Sequence, residues 1–266
     1  MELRAQALAA FSLTDPAHKV MATRALAAQG MSLHCEPITV FEEPSGPGRP
    51  ERPRLLHPRS VPKRSPHTPA GHAALMHSIA HIEFNAINLA LDAVWRFAHM
   101  PDAYYRDWVR VAGEEALHFS LLQDHLSGLG YTYGDFDAHD GLWTMCVATQ
   151  GDVLARMALV PRTLEARGLD ATPLIQAKLR HLPYPHAHDA VLILDRILQD
   201  EVGHVAIGNQ WFYTLCQQRG VQPQAYYKEA SLRYKAPSLK PPFNLDARRA
   251  AGFSDAELAT LSASLV

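Results

Sequence analysis

Residues 198–212 read LQDEVGHVAIGNQWF. Leu198, Val205 and Gly208, with Leu194 and Ile197 a turn earlier, recur at helical spacing, and such a stripe belongs in a core. Glu201 falls on that stripe, and His204 follows three residues later on the same face. A carboxylate buried without a partner either takes up a proton or finds a cation, because desolvation of the bare charge is too costly. The stretch therefore predicts a long core helix that holds a cation.

The same pattern recurs upstream. In a helix predicted from about 102 to 128, Trp108, Val111, Ala112, Phe119, Leu122 and Leu126 form the apolar stripe, with Glu115 in phase and His118 three residues on. In the preceding helix, which Thr68 and Pro69 open and which runs to about residue 99, the stripe is Ile79, Ile82, Ala86, Ile87, Ala90, Leu91 and Val94, with Glu83 in phase. A third helix over roughly 142–167 carries Leu154, Met157, Ala158 and Pro161 towards Glu165 and stops at Gly168. Thr172 and Pro173 open a short further piece, and the last long helix spans about 187–219, with Gly220 as its stop and HAHD (186–189) as its start.

Four in-phase carboxylates on four helices would repel one another if left alone. Two divalent metal ions resolve this: one Glu from each of two helices and Glu-x-x-His from each of the other two make the ligand set of a di-metal bundle. This chain has that layout in the order Glu83, Glu115/His118, Glu165, Glu201/His204. With 15 histidines in the chain, chance alone gives about 0.7 Glu-x-x-His matches, so the helical phase carries the weight and not the spacing. One feature fits poorly. Glu165 lies near the end of its predicted helix while Glu201 lies well inside the next, so the fourth helix must overshoot the third by roughly 15 Å; Asp152 is the fallback ligand. Glu114 and Asp200 each precede a proposed ligand and face elsewhere, Asp200 being placed to orient a ligand histidine from behind. His77 and His81 point away from the face of Glu83 and read as surface groups or groups behind the ligands. Tyr104, Tyr105, Tyr131 and Tyr133 read as packing residues.

The rest of the chain bounds the class. It has 266 residues, 47% hydrophobic and 20% charged, with a net charge of −2, the make-up of an ordinary globular protein and not of a general nucleic-acid binder. Three cysteines (Cys35, Cys146, Cys216) without C-x-x-C spacing read as reduced thiols. The absence of a signal-peptide body or an 18-residue apolar run points to the cytoplasm and to no membrane. The expected organisation is a helical and extended segment at 1–43, with EPITVF as a short extended piece, then a Pro-rich basic arm at 44–69. A four-helix bundle at 70–220, with its crossover TYGDFDAHDG between helices 2 and 3, and a C-terminal tail at 221–266 packing on it complete the chain. The tail's small helix is opened by the capping box of Ser254 and Glu257. Eight of the 19 prolines lie in the arm, among Arg49, Arg52, Arg54, Arg59, Lys63 and Arg64. Such a segment suits a strap tacked onto an acidic surface of its own chain; a phosphate-binding strip is the sharper alternative.

These stretches resemble the ferritin-like superfamily and, within it, a bacterial domain-of-unknown-function family. The similarity rests on AHIEFNAINLALDA, EEALHFSLL, YGDFDAHDGLW, LVPRTLEARGLDATP, DEVGHVAIGNQWF and, in the tail, PPFNLDARRAAGF, over about residues 50–255. The resemblance implies an all-α ferritin-like four-helix bundle and the same six ligands, holding two iron ions, with manganese or a mixed manganese–iron pair as the alternative. A His-x-Glu opening helix is also similar to the di-iron hydroxylases that act on modified tRNA. The expected function is an O2-dependent di-iron oxidoreductase or hydroxylase acting on a small molecule. The alternatives are a metal-binding, ferroxidase or oxidant-scavenging protein without organic substrate, using O2 or peroxide, and a tRNA-modifying hydroxylase. Nucleic acid is not the favoured partner, and a homodimer is compatible with all three.

Overall fold

The computed structural model describes residues 2–263, and the described chain is helical with no strands. Glu2 and Asp15 cap α1 (Leu3–Ser12) and α2 (Pro16–Gln29), their carboxylates accepting from amides of the first turns, where the helix leaves N–H groups without partners. The expected extended piece at 36–41 is not a strand: the carbonyls of Glu36, Pro37 and Thr39 accept instead from the guanidinium of Arg4. That fully buried side chain also donates to the Val94 and Trp95 carbonyls, so α1 closes the C-terminal end of the helix that follows.

The arm lies on its own chain. Arg49 makes two 2.8 Å bonds to Asp140 and one of 3.2 Å to Asn85, and Arg54 grips Asp137 through two 3.0 Å bonds. Backbone bonds between Leu56 and Ala138 (2.8 Å) and between Ala138 and Arg54 (3.0 Å) fix its path, and Arg64 stacks over Phe136. The acidic partners come from the predicted crossover, as the strap reading expects.

Thr68 caps α3 (Pro69–Arg96), its hydroxyl accepting from the Gly71 amide at 3.1 Å, and Pro69 fills the first position, where a missing N–H is no loss. A short turn leads into α4 (Asp102–Gly128), so α3 and α4 pack antiparallel along their predicted stripes. Burial of each large apolar side chain there contributes about 1.5–3 kcal/mol. Ile82 departs from the expected stripe: it sits at its edge, 45% exposed.

The predicted third helix is broken. α5 (Gly141–Ala148) ends in a turn, and Asp152 restarts the chain as the cap of α6 (Val153–Leu159), accepting from Leu154 at 3.0 Å. A wide π-helical turn follows at Val160–Glu165. Pro161 has no N–H with which to continue the α-helical ladder, and the hydroxyl of Thr163 donates to the Ala158 carbonyl at 2.8 Å. The helix then does not stop at Gly168, and Thr172–Pro173 does not open a new one: α7 (Ala166–Arg180) runs through both. Pro173 leaves the Leu169 carbonyl without its helical donor, and the Asn244 side chain supplies one at 3.2 Å.

α8 (Pro185–Gln218) ends where expected: Gly220 adopts φ +63°, and the Val221 amide returns to the Cys216 carbonyl at 3.0 Å. α9 (Pro223–Arg233) packs on α6; α10 (Leu245–Ala250) packs on α7 and on α11 (Asp255–Ala263). The buried Arg248 pairs with Asp170, and Ala166, Leu169, Val205, Ala251, Phe253 and Leu258 form the local core. The chain divides into two compact units: residues up to Trp143 with Tyr184–Ile193, and Thr144–Pro183 with the residues from Leu194 onward. Among the described residues no helix is long and apolar enough to cross a membrane.

Candidate metal centre

In the first unit, Glu83 on α3 and Glu115 on α4 stand equally far from the turn joining their helices, Glu83 before Arg96 and Glu115 after Asp102. Antiparallel packing therefore sets them at one height, and the stripe phase turns both inward. His118 is three residues beyond Glu115 and places Nδ1 3.3 Å from Glu115 Oε2 and 3.4 Å from Glu83 Oε2. Each of the three offers a ligand atom within 4.8 Å of the others, and all are buried.

The electrostatics of this group are those of crowded anions. Burial pushes the Glu83 carboxyl well above the carboxylate range, and the neighbouring Glu115 charge adds to the shift. Burial alone would lower the pKa of His118, but hydrogen bonds and charge attraction from Glu115 and Glu83 hold it up at about 11. His118 Nδ1 is thus shared between two carboxylates, and Glu83 Oε2 has no hydrogen bond of good geometry. An unsatisfied buried acceptor costs about 1–3 kcal/mol, more if charged. Hard oxygen donors with one imidazole suit a divalent cation, so this buried acidic and histidine cluster could hold a metal ion.

In the second unit, α8 carries Glu201 and His204, with His204 Nδ1 3.7 Å from Glu201 Oε1. His204 is fully buried and Glu201 8% exposed. Glu165 ends the π turn and is half-buried. Two contacts set the register of this stretch against α8. Pro161 lies against Gly208 so closely that a Cβ on the glycine would come 2.5 Å from the proline Cβ, and Gln176 donates to Asp195 at 2.5 Å. Rising numbers on one side meet falling numbers on the other, so the segments run antiparallel and Glu165 comes level with His204. The overshoot of roughly 15 Å expected from a third helix ending at Gly168 is not needed, because α7 prolongs the third element to Arg180.

Asp152 is not available as the fallback. It caps α6 and accepts from Arg219 and Tyr226, both at 2.9 Å; burial works against its ionised form, but these bonds hold its carboxyl below the usual range. Glu114 is half-buried, and Asp200 pairs with Arg196 at 2.6 Å.

His77 and His81 are not surface groups. Both are buried: His77 Nε2 accepts from the Gly134 amide at 2.9 Å, and His81 Nδ1 meets the Tyr133 hydroxyl at 2.8 Å. Burial lowers both imidazoles to about 4. Asn85 lies 3.0 Å from His81 Nε2 and also accepts from Arg49, joining this network to the arm. The spacing of His77, His81 and Asn85 along one face was the available signal. Its partners, Tyr133 and Arg49, lie in segments with no helical period to read. Tyr104 and Tyr105 are packed in the core, as expected, and the half-buried Tyr133 packs edge-on against Phe119 at 5.0 Å.

A Haemophilus influenzae protein described as uncharacterized is 52% identical over 216 residues, covering 79% of this chain and 74% of the relative. No solved structure matches the chain. A family model described as "Protein of unknown function (DUF455)" matches residues 12–259, and the chain belongs to that family.

Proposed function

We propose that the chain is a ferritin-like di-metal carboxylate protein of the O2-dependent oxidoreductase type, whose centre is formed by Glu83, Glu115, His118 and Glu201 together with Glu165 and His204. The observation that carries this reading is the buried meeting of Glu83, Glu115 and His118, with two carboxylates facing one imidazole nitrogen. The equal heights of Glu83 and Glu115, the register of Glu165 with His204 and the two Glu-x-x-His pairs support it. The carboxylates of Glu83, Glu115, Glu165 and Glu201 would neutralise a pair of ions, and His118 and His204 would each offer an imidazole. Iron is the expected metal, with manganese or a mixed pair as the alternative; when bound, the ions would supply open coordination positions and electrons for O2 chemistry. The tRNA-hydroxylase reading is the weaker one, because Arg49 and Arg54 are paired with Asp140 and Asp137, which offsets part of the arm's positive charge.

Anaerobic reconstitution with ferrous iron followed by elemental analysis tests the reading. About two irons per chain are expected. Glu115→Ala and Glu201→Ala should each lose metal, and Glu114→Ala and Asp200→Ala should keep it. Absence of both iron and manganese sinks the proposal, and equal loss from all four variants means that the ligand set is wrong. Oxygen uptake that accompanies iron oxidation but responds to no small molecule would favour the ferroxidase alternative.

A further inference from the structure

Three histidines of the first unit meet at helix ends: His72 in the opening turns of α3, His125 near the end of α4 and His186 in the first turn of α8. His72 and His125 are buried, and their Nε2 atoms are 3.2 Å apart with the rings at 70°. The His186 ring centroid lies 6.3 Å from that of His125, and Asp189, three residues further along α8, acts electrostatically on His125. Tyr184 covers His72 edge-on at 5.9 Å and is anchored by its hydroxyl to the Pro66 carbonyl at 2.8 Å.

A hydrogen bond between the two buried rings does not account for this arrangement. It uses one nitrogen of each ring and leaves Nδ1 of His72 buried without a partner. Burial and the neighbouring histidines hold His72 down at about 4, so its ring is neutral near pH 7 with a lone pair to donate, the form in which imidazole binds metals. Two imidazole nitrogens bound to one zinc at about 2.0–2.1 Å across a tetrahedral angle stand about 3.3 Å apart. The observed separation is already that of a shared ion, and small rotations of the two rings would turn their lone pairs from each other towards it. His186 and Asp189 are exposed, so their side chains can swing in without disturbing the core.

We propose that His72, His125 and His186 form a second metal site, for zinc or a similar borderline divalent ion, with the Asp189 carboxylate in the fourth position. A mostly imidazole donor set favours zinc, copper or nickel over the ions that suit carboxylates. Eleven residues before Glu83 along α3, the site stands about 16 Å from the acidic cluster. An ion there would pin the start of α3, the end of α4 and the start of α8.

The test uses the full chain carrying Glu83→Gln and Glu115→Gln, which disables the acidic cluster, titrated with cobalt(II) as the probe. One equivalent should bind with the visible absorption of four-coordinate cobalt, and zinc should displace it. His186→Ala, an exposed change that leaves the metal-free melting temperature unaltered, should weaken binding by more than the roughly 10–100-fold that loss of an orienting outer group costs. No such absorption in folded protein, or affinity unchanged by both His186→Ala and His125→Asn, overturns the proposal. Should the doubly substituted chain fail to fold, wild type and His186→Ala are compared directly. Zinc should then raise the melting temperature of wild type more than that of His186→Ala, and an equal rise in both overturns the proposal. Iron content of His186→Ala reports separately on the acidic centre, so either site can fail without the other.

Discussion

Gly208 and Gly203 lie on the same helix and give a controlled test of how α8 is held. At Gly208 an added Cβ would come 2.5 Å from the Cβ and 2.7 Å from the Cγ of Pro161, atoms of a stiff ring that cannot swing aside. At Gly203 an added Cβ meets nothing within 4 Å. Both Gly→Ala changes gain the same helix propensity, about 0.8–1 kcal/mol. Only the change at 208 meets the wall, and overpacking of this kind costs about 1–3 kcal/mol. Gly203→Ala should therefore stabilise by nearly 1 kcal/mol, while Gly208→Ala should fall about 1–3 kcal/mol below it. Urea unfolding of the metal-free proteins, compared at constant m-value, reads the difference directly. Gly208→Ala should also lower iron occupancy, because pushing Pro161 away disturbs the register that sets Glu165 level with His204. Equal stabilisation by both substitutions would refute the close approach, and with it the register argued from it.

Four further outcomes follow from particular contacts. Burial holds His77 at about 4, below its ordinary 6.5. The unfolded chain therefore binds the extra proton between these values, and stability present above pH 6.5 is lost as pH falls towards 4, by up to about 3 kcal/mol. His77→Phe should flatten that limb of a stability–pH profile, and an unchanged slope would rule the histidine out as its source. Asp170→Ala leaves the buried Arg248 charge without its carboxylate and should cost about 3–5 kcal/mol by denaturant melt; a loss below 1 kcal/mol would contradict the burial of the pair. Asn244→Ala removes both the cap of α10 and the donor to the Leu169 carbonyl, so about 1–3 kcal/mol should be lost, and Pro173→Ala should recover part of it. Arg49→Gln should lower the melting temperature more than Arg54→Gln, since the Arg54 pair is largely exposed and worth about 0–1 kcal/mol. In a salt titration against tRNA, neither arm substitution should alter a weak affinity; steep, salt-dependent binding lost with Arg49 and Arg54 would favour the phosphate-binding alternative.

Helical phase made α3, α4 and α8 readable, with the inward turn of Glu83, Glu115, Glu201 and His204, because each helix runs unbroken between a proline start and a recognisable end. A continuous helix carries its phase from one residue to the next, so a single stripe assigns every face. Breaks erase that information. The stretch from Gly141 to Arg180 reads as one helix ended by Gly168 because its apolar spacing is regular over short windows, yet a turn at 149–152 and a π turn at 160–165 each reset the rotation. Nothing near Pro173 announces that Asn244, in the tail, will take up the carbonyl the proline frees.

The same limit explains why the histidines divided as they did. His118 and His204 are legible because their carboxylate partners lie three residues away on the same helix. His72 finds its partner 53 residues away on α4, and His81 finds Tyr133 52 residues away beyond it. No local period connects such residues. They meet because α3 and α4 are nearly equal in length and fold back at a single turn, so the start of one necessarily returns to the end of the other. Helix length and turn position, both readable, therefore predict which ends face each other. Applied to α3 and α4, that rule brings His72 and His125 to one end and Glu83 and Glu115 to the middle, and the helix geometry alone separates two candidate centres.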